Sequence, residues 1–257
     1  MLVDTHCHLG HIEADPAVTV DEARAAGVDT VIDIGMGTAE SAAVVARTVE
    51  IAGVYGSVGV HPNELGEFEA DRDGTMDAIS ALARNERVVG IGETGLDFYR
   101  DRSPRTLQED AFRAHIALAR ELDRALVVHC REAQQRVLEM LDDAGAPERV
   151  VMHCFSGDEA YARECAARGF FCSFAGNVTF RNAGALRDAA AALPPHLVLV
   201  ETDAPFLAPE PYRGRPNAPR LLANTAGALA EAMGMDSENV RVVLRRNSAR
   251  AFALDLS

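Results

Sequence analysis

Short apolar runs alternate with longer stretches of helical composition eight times along this 257-residue chain. The runs are rich in β-branched residues, which favour strands, and the intervening stretches are rich in Ala, Leu, Arg and Glu. We predict strands at 2–9, 28–35, 54–61, 88–92, 125–130, 150–155, 170–174 and 197–201. We predict helices at 20–26, 39–52, 75–85, 107–121, 133–144, 159–168, 183–193, 218–233 and 238–253.

This alternation is typical of an α/β protein and predicts a (β/α)8 TIM-type barrel, one domain spanning 1–257. A doubly wound open sheet is the alternative, because alternation alone does not show that the sheet closes. Polar residues at the ends of the first, fourth, fifth, sixth and eighth runs favour closure, since a closed barrel brings the first and eighth strands together. No linker, low-complexity tract or repeat divides the chain.

Composition and charge narrow the function classes. A hydrophobic fraction of 48% and a charged fraction of 25% are those of a folded chain with a sizeable core. No apolar run approaches the roughly 18 residues that cross a bilayer, and no leader is recognisable, so we expect a cytoplasmic protein with no membrane contact. A net charge of −14 argues against a stable nucleic-acid binder with a broad basic surface. No stable protein partner is predicted.

Six side chains with nitrogen or oxygen donors stand at the ends of these runs. His6 and His8 end the first run, and the alternation of side chains in a strand places both on one face. Catalytic groups of barrel enzymes lie at the C-terminal ends of the strands. We therefore predict a centre of two divalent metal ions (Mg²⁺, Mn²⁺ or Zn²⁺), and the predicted ligands are His6, His8, Glu93, His129, His153 and Asp203.

Two of these carboxylates are also predicted to be catalytic. Glu93 is the natural bridge between the ions, because its strand lies between the others, and Asp203 could accept the proton of an attacking water. Two bridged ions suit the hydrolysis of a phosphodiester. The cysteines that directly follow ligands, Cys7, Cys130 and Cys154, should turn away from the metals, and five cysteines without CxxC spacing predict no disulfide framework.

The motifs around the predicted ligands resemble a known family. They are 4–8 (DTHCH), 92–97 (GETGLD), 129–131 (HCR), 153–157 (HCFSG) and 201–205 (ETDAP), and together with 58–62 and 213–217 they are similar to the TatD-type metal-dependent deoxyribonucleases of the amidohydrolase superfamily. The resemblance implies a two-metal barrel with the same six ligands, Glu93 bridging, and 3′-to-5′ exonuclease or related DNase activity with DNA as a transient substrate. Arg215 departs from the lysine expected there, and this changes the hydrogen-bond geometry.

Several neighbouring residues allow two interpretations. His61 could contact a phosphate or base, or it could cap a loop. Arg131 could bind a phosphate, or it could pair with Glu132 or Asp203. Phe155 could stack on a base, or it could simply pack.

The proline-rich loop at 204–219 is either a stiff connection or a wall of the substrate site, where Arg213 and Arg215 would bind substrate.

Two further sets of residues lie next to the motifs. Glu201 and Asp4 could orient ligands or make stabilising pairs. Asp97 and Tyr99 are interpreted as loop structure, and Arg100, Arg102 and Arg105 as a solvated surface.

The sequence allows three functions. The leading hypothesis is a two-metal deoxyribonuclease. The second keeps the metals but cleaves a small ester, a lactone, an amide or an aminoacyl-tRNA, and the negative net charge motivates it. The third is a non-catalytic metal-binding scaffold, which a complete set of ligands with a candidate base makes the weakest of the three.

Overall fold

The computed structural model describes residues 1–256 and confirms the predicted α/β barrel. Eight parallel strands form one sheet whose spatial order is the order of the chain, β1 to β8. The strands are β1 (Leu2–Cys7), β2 (Val28–Ile34), β3 (Val54–Val58), β4 (Val88–Asp97), β5 (Ala125–Arg131), β6 (Val150–Met152), β7 (Phe171–Phe174) and β8 (Val198–Val200).

The sheet closes where the end of β1 meets the segment after β8. Cys7 and Ala204 form a parallel bridge, and the His8 N–H donates to Ala204 O at 2.8 Å. Deeper in the barrel, Thr5 Oγ1 donates to Val200 O at 2.9 Å. These bonds join the first and last strands, so the sheet is a barrel and not a doubly wound open sheet.

Ten α-helices surround the barrel within the described residues. They are α1 (Pro16–Ala25), α2 (Thr38–Glu50), α3 (Gly66–Ala70), α4 (Arg72–Ala83), α5 (Arg105–Glu121), α6 (Gln134–Ala144), α7 (Glu159–Ala167), α8 (Gly184–Ala192), α9 (Leu222–Ala232) and α10 (Ser237–Phe252). Helix α1 begins four residues earlier than predicted, because Asp15 caps it and Pro16 fits its first position. The short helix α3 was not predicted. No helix among residues 1–256 is long and apolar enough to span a membrane.

The barrel interior changes from apolar to polar along its axis. At the N-terminal end, Val3, Val127 and Leu199 pack with Phe252, which α10 inserts across that opening. In the middle, Thr5 Oγ1 and Ser173 Oγ hydrogen-bond at 2.9 Å. This apolar layer excludes water from the N-terminal end of the barrel, so the polar side chains that could bind a ligand lie at the C-terminal ends of the strands.

Several strand ends differ from the prediction. Strand β3 ends at Val58, three residues before its predicted bound, and β1 ends at Cys7, two residues before its own. Strand β4 continues past Gly92 to Asp97, with a register shift against β5 between Ile91 and Thr94, so Glu93 lies within the strand instead of after it. A Cβ on Gly59 would lie 2.7 Å from Gly92 Cα, and only glycine permits this close approach of β4 to the segment after β3. Strand β6 ends at Met152, three residues early, and Cys154 has a φ of 44°.

The cysteines are all unpaired thiols, as predicted. Cys7 is buried in the core between the sheet and the helices, and Cys130 packs against the same core and accepts a hydrogen bond from Tyr161 at 3.6 Å. Burial raises the pKa of the Cys130 thiol to about 12. Both side chains therefore point away from the polar end of the barrel interior and remain protonated at neutral pH.

Candidate metal centre

A first cluster of donor atoms lies where β1 and β8 end. His6 Nε2 and His8 Nε2 are 3.3 Å apart. Asp203 Oδ1 lies 3.8 Å from His6 Nε2 and 3.6 Å from His8 Nε2, and Glu93 Oε2 lies 3.4 Å from His6 Nε2. We call this set of two imidazoles and two carboxylates the Asp203 group.

A second cluster surrounds the other oxygen of Glu93. Glu93 Oε1 is 2.6 Å from His129 Nδ1, 2.9 Å from His153 Nε2 and 3.6 Å from His61 Nε2. We call Glu93 Oε1 with these three histidines the His129 group. The two groups share the Glu93 carboxylate, and each of its oxygens faces a separate set of imidazoles.

Outer carboxylates fix two of these histidines by accepting hydrogen bonds. Asp97 Oδ2 lies 3.2 Å from His129 Nε2, and Glu201 Oε1 lies 3.0 Å from His153 Nδ1. Each carboxylate therefore holds one ring proton and leaves the other nitrogen of that ring to face Glu93. Glu201 orients a predicted ligand, whereas Asp4 accepts from the N–H and hydroxyl of Thr202 and so ties β1 to the segment after β8.

His61 differs from the other histidines in its tautomer. Its Nδ1 accepts the N–H of Asn63 at 3.0 Å, so the proton of the neutral ring is assigned to Nε2, the atom that faces Glu93. A nitrogen that carries a proton donates hydrogen bonds and has no lone pair for a metal. His61 therefore caps the loop after β3, one of its two predicted interpretations, and its Nε2–H faces the centre.

Burial and neighbouring charge set the protonation of the metal-free centre. Burial lowers the pKa of His6 to about 3 and that of His61 to about 3, so both rings are neutral. Burial also opposes a charge on His153, but the carboxylates of Glu93 and Glu201 outweigh it and raise the pKa of His153 well above its usual value. Likewise, the charge of His153 holds the pKa of Glu93 well below its usual value despite burial.

The donor set fits divalent cations. Buried imidazole and carboxylate donors with outer carboxylates behind them are the ligands that Zn²⁺, Mn²⁺ and similar ions take in proteins. In addition, His6 and His8 turn both Nε2 atoms toward the same carboxylates, while their buried Nδ1 atoms have no hydrogen-bond partner. A cation between the two Nε2 atoms could accept one lone pair from each ring, with the proton of each neutral ring on Nδ1.

Comparison with known sequences agrees with this chemistry. The sequence profile of a family described as TatD related DNase matches residues 3–253. The chain belongs to the TatD related DNase family. This membership confirms the resemblance found in the motifs and makes the protein a member of a family of metal-dependent hydrolases.

Individual TatD relatives cover nearly the whole chain. The metal-dependent hydrolase TatD of Mycobacterium tuberculosis is 39% identical, over 98% of both chains, and YabD of Bacillus subtilis is 34% identical over 99% of this chain and all of its own length. A protein of Citrobacter rodentium named 3′-5′ ssDNA/RNA exonuclease TatD is 34% identical over 92% of this chain and 91% of its own. The crystal structure of the TatD homologue YJJV of Escherichia coli superposes with a TM-score of 0.91 at 26% identity, covering 99% of this chain and 98% of its own.

The structure brings the six predicted ligands together, but it buries one of the predicted substrate residues, Phe155, in the core. Phe155 was predicted as a candidate for base stacking, and this is wrong: the side chain is 2% exposed and packs on Phe174 and Tyr161. The chain turns at Cys154, so the strand alternation that would have aimed Phe155 at the centre does not apply. Packing, the alternative interpretation, is the observed one.

The predicted arginines make no ion pair within the described residues. Arg131 does not pair with Glu132 or Asp203; its guanidinium carbon lies 3.9 Å from the centre of the Tyr99 ring. In the loop at 204–219, Arg213 lies over the ring of Phe180 at 4.2 Å, and Arg215 is exposed. The beginning of this loop borders the metal centre, because the rings of Phe206 and His8 pack edge to face with their centres 6.1 Å apart.

Asp97 is a functional residue that the sequence interpretation missed. The sequence predicts a loop at this position, but Asp97 ends β4, is 1% exposed and holds His129. Glycines at 90, 92 and 95 interrupt the apolar run and hide the continuation of the strand. The spacing of Glu93 and Asp97, four residues apart and therefore on one face of a strand, was the signal that could have found it.

Proposed function

We propose that this chain is a two-metal phosphodiesterase that removes nucleotides from the 3′ end of single-stranded DNA. The shared carboxylate of Glu93 is the observation that supports it most, because its two oxygens face two separate histidine sets. The name of the Citrobacter rodentium relative, a 3′-5′ ssDNA/RNA exonuclease, points to the same reaction.

His6, His8, Asp203 and Glu93 would hold one ion, and Glu93, His129 and His153 the other. When bound, the ions supply Lewis acidity, which activates water and stabilises the charge on the leaving oxygen. Mg²⁺, Mn²⁺ and Zn²⁺ are the candidate ions, as predicted from the ligand types.

The side chains of the protein have separate roles in this proposal. The side chain of Asp203 is 13% exposed, against 4% for Glu93, so Asp203 is the carboxylate that water reaches and that accepts its proton. His61 presents Nε2–H next to Glu93 and would donate it to a phosphate oxygen. Asp97 and Glu201 keep His129 and His153 in the tautomers that face Glu93.

The test uses metal-stripped protein reloaded with Mg²⁺, Mn²⁺ or Zn²⁺ and a 5′-labelled single strand of DNA, with an RNA strand of the same sequence in parallel. We expect a metal-dependent ladder that shortens from the 3′ end. Asp203→Asn should abolish the ladder. Asp188→Asn is the matched control, because it makes the same chemical change at an exposed position on α8.

Intact nucleic acid with every metal, in protein shown to bind two ions, would contradict the proposal. The hydrolysis of a small ester, an amide or an aminoacyl-tRNA would then become the leading function.

A further inference from the structure

Exposed aromatic rings are concentrated beside the metal centre. Among the Phe and Tyr residues of the described chain, the exposed ones are Tyr99 at 58%, Phe206 at 51% and Tyr212 at 37%. All three lie in loops at the C-terminal ends of strands, Tyr99 after β4 and the other two after β8. An exposed large ring is unfavourable in water, so a concentration of such rings at one opening points to a ligand that covers them.

Tyr99 is fixed to the His129 group. Its N–H donates to Asp97 Oδ1 at 3.1 Å, and the other oxygen of Asp97 holds His129. Arg131 covers one face of the Tyr99 ring, with its guanidinium carbon 3.9 Å from the ring centre. The ring is thus supported from one side, while more than half of the surface of the residue remains open to solvent.

Phe206 is fixed to the Asp203 group in a comparable way. Its N–H donates to Asp203 O at 2.8 Å, and its carbonyl accepts from Asn217 Nδ2 at 2.7 Å. The same Asn217 amide donates to Thr202 O at 2.8 Å, so the loop that carries the ring is bound to the segment that carries Asp203.

The two rings stand on opposite sides of the centre. In a barrel of eight strands in sequential order, β4 and β8 are half a turn apart. Each side also carries arginines that form no ion pair within the described residues, although the chain has a net charge of −14. These are Arg100, Arg102 and Arg131 near Tyr99, and Arg213 and Arg215 in the loop of Phe206.

We propose that Tyr99 and Phe206 are stacking platforms for two bases of one nucleic-acid strand, which passes over the metal centre from one ring to the other. This inference rests on the proposed function. Every base offers a flat face to an aromatic ring, so such platforms accept many sequences. In a duplex those faces are already stacked on neighbouring base pairs, so the platforms select single strands and frayed ends.

The chain contains no tryptophan, and this allows a direct test of stacking. Tyr99→Trp and Phe206→Trp each introduce one fluorophore at a platform, and Val242→Trp introduces one at an exposed position on α10 as the matched control. The probe is a phosphorothioate-linked oligothymidylate, which resists hydrolysis, added to Mg²⁺-loaded protein. We expect fluorescence quenching in both platform variants, none in the control, and little with a blunt-ended duplex of the same backbone.

Kinetics provide a second measurement. Tyr99→Ala and Phe206→Ala should each raise the KM for an unmodified single strand by roughly five- to a hundredfold, the range found when stacking aromatics are replaced by alanine. The change in kcat should be smaller, and Tyr99→Phe should retain the parent KM because the ring is what stacks.

The outcomes separate the two proposals. Absence of quenching at either platform, or equal quenching with the duplex, overturns the platforms even if the strand is hydrolysed. Quenching by the single strand without hydrolysis of the unmodified strand supports the platforms and overturns the proposed function.

Discussion

Asp97 Oδ2 lies 3.2 Å from His129 Nε2, on the opposite edge of the imidazole from the Glu93 carboxylate, which is 2.6 Å from Nδ1. One ring thus stands between two carboxylates. Burial favours the neutral form of Asp97, but hydrogen bonds from His129, the Arg100 N–H and Asn63 outweigh it and hold the pKa of Asp97 below its usual range. An ionised Asp97 keeps a proton on Nε2 and leaves Nδ1 for the centre.

Asp97→Asn should weaken metal binding in the His129 group by about ten- to a hundredfold, because such outer carboxylates typically contribute that much. The amide has no charge to hold the Nε2 proton. Competitive titration with a metal indicator measures the affinity, and Asp188→Asn on the surface should match the parent. An unchanged affinity in Asp97→Asn would show that the carboxylate does not orient His129.

His61→Ala and His153→Ala should differ in metal content. His61 presents a protonated nitrogen to Glu93 while its other nitrogen accepts a hydrogen bond. His153 donates its Nδ1–H to Glu201, so its Nε2 is the nitrogen that an ion would bind in place of a proton. We expect His61→Ala to retain two ions per chain and to lose roughly ten- to a hundredfold in kcat/KM, the effect of losing a charge-assisted hydrogen bond. His153→Ala should retain one ion. Elemental analysis after dialysis measures the stoichiometry, and loss of an ion from His61→Ala would identify His61 as a ligand.

The free energy of unfolding should fall as the pH decreases from about 6.5 toward about 4, in part because of His115. This ring is fully buried in α5, donates from Nδ1 to Ala111 O at 2.7 Å and accepts the Val60 N–H at Nε2, so it is held neutral. Burial lowers its pKa to about 4. As the pH falls, the unfolded chain therefore binds this proton first. The contribution of His115 to stability is complete above about pH 6.5 and is lost progressively as the pH falls from there toward about 4.

The contribution of His115 amounts to about 1.4 kcal/mol per pH unit, or about 3 kcal/mol over the whole range. Urea unfolding of the metal-free parent and of metal-free His115→Gln at several pH values measures this contribution. The other buried histidines titrate equally in both proteins, so the difference between the two pH slopes is due to His115. The variant should take up about one proton fewer than the parent when it unfolds in this pH range. Identical pH slopes in the two proteins would contradict this role.

Gly59→Ala should be destabilising by about 1–3 kcal/mol, the usual effect of forcing a methyl into a closed space. The added Cβ would lie 2.7 Å from Gly92 Cα, which is backbone and has no rotamer to relieve the contact. Because Glu93 follows Gly92, metal affinity should fall as well. Gly66→Ala is the control: nothing lies within 4 Å of its added Cβ, and alanine favours the helix that begins there. Equal stability of both variants would show that β4 can shift without consequence.

The sequence by itself determined the barrel and the six clustered donors. Residue periodicity is local, so the apolar runs predict strands without knowledge of their partners. Parallel strands necessarily bring their C-terminal ends to one side, and this places His6, Glu93 and Asp203 together although they are far apart in the chain. Strand bounds were less accurate at β3, β4 and β6. Glycines interrupt the run of β4, and the chain turns after β6.

The tertiary structure alone decided what each polar side chain bonds to. Asp97 became the partner of His129 because β4 pairs with β5 past its glycines, and His61 became a donor because the Asn63 N–H occupies its other nitrogen. Phe155 entered the core, whereas Tyr99 remained exposed against Arg131. Such choices depend on hydrogen bonds and packing between segments that are distant in sequence. A local pattern of residues can place a side chain on one face of a strand, but it does not name the partner of that side chain.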